Sequence, residues 1–114
     1  MPVRPLSSAV LVWPDARTVD QAAHRWAEGL RRAEASVVAV GYFGSYGRGD
    51  WGVGSDLDMV VIVEDSREPF ERRAARFDAT GLPVPVDLLV YTRAEWVTLP
   101  APPHQVVWMS GIPA

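Results

Sequence analysis

The stretch GSYGRGDWGVGSDLDMVVIV, residues 44–63, decides how this chain is read. Its last seven residues, LDMVVIV (57–63), are apolar and rich in β-branched side chains, and predict a buried strand. Strand side chains alternate between faces, so Asp56 and Asp58 point the same way, with Cα atoms about 6.6–6.8 Å apart. Two carboxylates at that span can share a cation or hold two ions side by side. Two-metal phosphoryl-transfer sites place their ions about 3.5–4 Å apart. The residues before the acids are glycine-rich. Gly44-Ser45 can bring backbone N–H groups and a hydroxyl close to phosphate oxygens, and Arg48 can reach the same anion.

Upstream, SVVAVGYF (36–43) reads as a second buried strand that delivers the chain into Gly44-Ser45. Before it, Thr18 and Gln21 form a capping-box pattern, and Ala22, Ala23, Trp26, Leu30 and Ala33 recur at helical spacing, predicting an amphipathic helix over about 18–35. Val10–Trp13 has the composition of a short strand. Downstream, Asp65 or Ser66 could cap a helix with Pro69 in its first turn, Phe70, Ala74 and Phe77 on one face and Gly81 as its stop. VPVDLLVY (84–91) predicts a third strand, with Pro85 marking a strand start or a sheet edge. Thr92 and Glu95 form another capping box, opening a short helix that Pro100 ends. The tail predicts a further helical turn or two, stopped at Gly111. The order is that of a single α/β (α+β) domain over residues 1–114, a small mixed sheet packed against helices.

Asp87 sits in the middle of the apolar run 84–90 with no basic residue on its strand. Burying a lone carboxylate there is costly unless something compensates it. If the strands 57–63 and 84–90 are neighbours, Asp87 joins Asp56 and Asp58. Three clustered carboxylates repel by about 1 kcal/mol per pair at 4 Å even in water. A hard divalent cation removes that repulsion, and Mg²⁺ is the natural choice beside phosphates.

Together these residues resemble the signature of the DNA polymerase β-like nucleotidyltransferase superfamily: Gly-Ser, ten residues, Asp-x-Asp, an apolar strand, and a third Asp on a later strand. Gly44-Ser45, the ten residues 46–55, Asp56-Leu57-Asp58 and Asp87 follow that pattern. Arg48 matches the Arg of the usual Gly-Ser-x-Ala-Arg-Gly, whereas Gly47 replaces its Ala. The resemblance covers roughly residues 36–91 and is nearest to the stand-alone minimal nucleotidyltransferases. It implies the nucleotidyltransferase fold. It further implies that Asp56, Asp58 and Asp87 bind two Mg²⁺ ions and serve catalysis. Gly44, Ser45 and Arg48 would then hold the triphosphate.

Composition narrows the alternatives. The chain has 114 residues and a formal net charge of −3, and all 11 basic residues are Arg. Schiff-base chemistry and a Walker-type phosphate lysine are excluded. The absence of Cys excludes disulfides and Cys-based zinc sites. No apolar run approaches the ~18 residues of a membrane span, and no secretory leader is evident, so the expected location is the cytoplasm. Gly47–Gly52 formally fits G-x-G-x-x-G. A strand begins only four residues later, where a dinucleotide fingerprint needs a crossover helix. Trp51 is read as packing that loop. Trp26, Trp96 and Trp108 are read as core or interface residues, His24 and His104 as solvated, and Arg72, Arg73 and Arg76 as a solvated helix face.

The expected activity is transfer of a nucleoside monophosphate, AMP from ATP, to a hydroxyl acceptor with release of pyrophosphate. Larger relatives carry a helical acceptor-binding domain, for which the stretch after residue 91 leaves no room. The resemblance therefore implies a separate helical partner of the HEPN type, as in toxin–antitoxin pairs, or recognition by a homo-oligomer. A non-catalytic nucleotide-binding or antitoxin-like module is the alternative. The acidic balance weighs against a nucleic-acid partner and against a template-dependent polymerase.

Overall fold

The computed structural model describes residues 14–49, 55–103 and 105–113. Its elements run α1 (Ala16–Ala33), β1 (Val37–Phe43), α2 (Gly44–Arg48), β2 (Leu57–Val63), α3 (Phe70–Arg73), a 3₁₀ turn (Ala74–Arg76), β3 (Val86–Thr92), α4 (Arg93–Thr98) and β4 (Val107–Gly111). The four strands form one mixed sheet in the order β3-β2-β1-β4. β1 is antiparallel to both β2 and β4, whereas β2 and β3 are parallel.

The sheet sorts its side chains by parity. Leu57, Met59, Val61 and Val63 of β2 face α1 and join the main core with Val19, Ala23 and Ala27 of that helix. Val60 and Ile62 face the other way and pack with Ala39 under Val38, Phe43, Tyr91, Trp96, Val106 and Trp108. That second face carries a run of aromatic contacts. Phe70 meets Tyr91 with ring centroids 5.0 Å apart, Tyr91 meets Trp96 at 5.8 Å, and Trp96 meets Trp108 edge-on at 5.5 Å. Asp58 has the parity of Val60 and Ile62, so it belongs to the aromatic face.

Several expectations need correction. α1 begins at Ala16, with Asp15 as its cap, and Thr18 supplies the capped N–H to the Asp15 carboxylate at 2.8 Å. A carboxylate three residues before Thr18 meets the same need as the Thr18–Gln21 box, one turn earlier. The helix expected after Asp65 is reduced to α3 and the 3₁₀ turn. Arg73 is buried, not solvated: its Nε donates to the Glu68 carbonyl at 2.9 Å and its guanidinium forks onto Glu95. The tail holds β4 in place of a helical turn. The expected Thr92–Glu95 capping box is present, and β3 is an edge strand among the described residues, as Pro85 suggested. Val10–Trp13, Trp51 and His104 lie outside the described residues.

Candidate active site

β1 ends at Phe43 and the chain turns at once into α2. Gly44 has φ +72°, a left-handed conformation that favours glycine. A second reason for glycine is steric. The space a Cβ would take at Gly44 is filled by the carboxylate of Asp58. Tyr46 anchors the turn in the core, and Gly49 closes it with its N–H donating to the Ser45 carbonyl at 2.9 Å. Gly44 and Asp58 are therefore in direct contact, although they stand fourteen positions apart in the chain.

The third acid arrives through strand pairing. The β2–β3 register sets Asp58 opposite Asp87, and parallel neighbours at one register position share a face. Across the antiparallel β1–β2 ladder, Asp58 also stands opposite Phe43, the residue before Gly44. Asp56 lies just before β2 and is exposed, as is Asp87, whereas Asp58 is half-buried between them. The Asp58 carboxyl is pushed above the usual carboxylate range, first by burial, then by the like charges of Asp87 and Asp56, with Arg48 opposing. Each of the six residues singled out for the site thus falls on α2 or on the paired N-terminal ends of β2 and β3.

Oxygen donors of this kind suit a hard divalent cation, and the mutual repulsion on Asp58 is the electrostatic demand such a cation would relieve. Among the described residues, no three acidic or imidazole side chains enclose an ion as they stand. His24 is no part of this cluster. Its Nδ1 lies 2.9 Å from the Asp20 carbonyl, on the α1 side of the sheet.

A family model for the nucleotidyltransferase domain matches residues 25–113. The chain belongs to the nucleotidyltransferase domain family. That match runs from within α1 through β4 and takes in the whole acidic row and the Gly-Ser turn. The chain is also similar in fold to the crystal structure of a putative nucleotidyltransferase from Sulfolobus solfataricus, with a TM-score of 0.62 and 21% identity over 82% of this chain and 80% of that one. No curated protein matches it. The nucleotidyltransferase domain makes this chain an enzyme of nucleotidyl transfer, with a nucleotide as substrate. No helix among the described residues is long and apolar enough to cross a membrane.

One neighbour of the turn has no signal in the sequence. Gln105 sets its carbonyl against Gly47. Nothing in the local composition marks a backbone contact of this kind.

Proposed function

We propose that this nucleotidyltransferase domain moves AMP from ATP to a hydroxyl acceptor, with Asp56, Asp58 and Asp87 as its catalytic and metal-binding acids. The observation that carries the reading is the contact of Asp58 with the Gly44 backbone, combined with its register pairing to Asp87. It supports the reading because the Gly44–Arg48 turn and the row of carboxylates lie within one side chain's reach of each other. In this reading Gly44, Ser45 and Arg48 hold the triphosphate. Asp58, the most buried of the three acids, would hold Mg²⁺ together with Asp56 and Asp87.

Bound Mg²⁺, expected as two ions, would neutralise the phosphate oxygens and the charge that develops on them. The chain's own part is placement. The acceptor oxygen attacks the α-phosphorus while the bond from that phosphorus to the bridging oxygen of the β-phosphate breaks. Pyrophosphate leaves, and the hydroxyl proton passes to Asp87, the acid on strand β3. Little covalent work falls to the protein in such a transfer, so alignment and charge carry the catalysis.

Resemblance to minimal nucleotidyltransferases supports a HEPN-type helical protein as the acceptor or its carrier. The deciding assay is pyrophosphate release from ATP and Mg²⁺ in the presence of hydroxyl acceptors, a co-expressed helical partner among them. Release should depend on Mg²⁺ and fall by at least about a thousandfold in the Asp56→Asn, Asp58→Asn double variant. Turnover that survives in that variant would refute the assignment. ATP binding without turnover under every acceptor would favour a non-catalytic module instead.

A further inference from the structure

We propose that Gln105 is a positioning residue for the Gly44–Arg48 turn, acting through its backbone and not its side chain. The proposal rests on the reading of that turn as the triphosphate-holding element. Gln105 has φ 56° and is the only non-glycine with positive φ among the described residues. Residues other than glycine enter this region rarely, stay there only when their surroundings enforce it, and cluster at functional sites.

The surroundings here are α2 and the start of β4. A Cβ at Gly47 would stand 2.8 Å from the Gln105 carbonyl oxygen, closer than packed atoms allow. That oxygen occupies the space where the resembling family's pattern has an alanine methyl, which accounts for the glycine at 47. On the far side of Gln105, β4 is seated tightly on β1. A Cβ at Gly41 would lie 2.7 Å from Val106 Cγ1 and 2.9 Å from Trp108 Cε3. Val106 and Trp108 thus hold the chain just after Gln105 against β1.

The turn is clamped at two glycines. Gly44 takes the Asp58 carboxylate into its missing Cβ space, and Gly47 takes the Gln105 carbonyl. The first contact ties the turn to the acidic row, and the second ties it to β4. A change of φ at 105 into the negative region swings the carbonyl off Gly47 and frees one of the two contacts. The turn is then held by its contact with Asp58 alone.

The test compares Gln105→Val, whose β-branched side chain strongly disfavours positive φ, with Gln105→Gly, which tolerates it. Two readouts are taken on the full chain: amide exchange of Gly49, whose N–H closes the turn on Ser45, and calorimetric binding of ATP with Mg²⁺. Gln105→Val should speed Gly49 exchange and weaken ATP binding, each by about tenfold, while Gln105→Gly leaves both near the parent values. Unchanged Gly49 exchange in a folded Gln105→Val protein would overturn the proposal. So would equal damage from Gln105→Gly, which would place the role in the side chain. If Gln105→Val does not fold, Gly47→Ala decides. It should speed Gly49 exchange, and adding Gln105→Gly should recover part of the loss; additive behaviour of the two would overturn the clamp. If the parent itself binds no ATP, the nucleotide reading fails, and the exchange measurements still judge the clamp.

Discussion

At Gly44 two demands meet in one residue. Its positive φ disfavours any side chain, and the Asp58 carboxylate fills the place of the missing one. Gly44→Ala should therefore lower stability by roughly 1–3 kcal/mol, seen in thermal melts, and abolish ATP binding by displacing either the turn or Asp58. Asp58 makes the opposite kind of prediction. Burial and two like-charged neighbours destabilise its ionised form. Asp58→Asn keeps the shape and removes the charge, so it should raise stability by about 0.5–1 kcal/mol while eliminating nucleotidyl transfer. A melting temperature lower than the parent's would show that the carboxylate stabilises the fold. The acids were legible in the sequence because strand parity and an apolar frame are local properties. Gln105 was not, since its torsion is imposed by α2 and β4, which meet it only in the folded chain.

Among the elements, α3 and α4 are joined by one ion pair. Arg73, buried, forks onto Glu95 and also donates to the Val90 carbonyl of β3 at 3.3 Å, while Glu95 caps α4 through the Thr92 N–H at 2.8 Å. The bonds from Arg73, then that from Thr92, hold the Glu95 carboxyl down to about 2. A carboxyl whose folded value is depressed stabilises the fold above its unfolded value and loses that contribution as pH falls toward the folded value. Here the window runs from about 4.5 down to about 2. The Glu95 side chain is 42% exposed, so solvent screening limits the gain. Glu95→Gln should cost about 1 kcal/mol at neutral pH, with the difference from the parent vanishing as denaturation curves approach pH 2. A gap that persists unchanged to pH 2 would assign the cost to packing. This pair also explains why the arginine cluster was misread. Spacing shows that Arg72, Arg73 and Arg76 share a region, but only tertiary contact shows that one of them is turned inward. The tail was misread for a related reason. The segment Val107–Gly111 is too short for periodicity to separate helix from strand, and it is the ladder to β1 that makes it a strand.

For the molecule as a whole, the mixed sheet sets the division of labour. α1 covers one face and builds the main core, and the aromatic face carries Asp58 toward the end where β1 leaves for the Gly-Ser turn. In the proposed reading, stability and chemistry are thus carried by different parts of β2. Ile62, fully buried, lies four residues from Asp58 on the same face. Ile62→Ala should cost roughly 2–5 kcal/mol in denaturant melts, yet leave ATP affinity within about twofold at temperatures where the variant is folded. A large loss of affinity in the folded variant would mean that the core and the site are coupled. The pairing of strands 57–63 and 84–90, on which the place of Asp87 beside Asp58 depends, was the least local condition in the sequence reading, and β2 and β3 are neighbours. A one-residue slip between them would turn every side chain of one strand to the wrong face, which restricts the registers open to the pair.

In the proposed site Asp58, with Asp56 and Asp87, holds a divalent cation against a triphosphate on the Gly44-Ser45 turn. Titration of the full chain with Mn²⁺ in place of Mg²⁺, with a non-hydrolysable ATP analogue present and the bound ion followed by electron paramagnetic resonance, tests it most directly. The parent should bind Mn²⁺ only weakly alone and far more tightly with the analogue, and Asp58→Asn should lose that enhancement. Mn²⁺ binding that ignores the analogue, or that is unchanged in Asp58→Asn, would rule out a shared cation and triphosphate site at these acids.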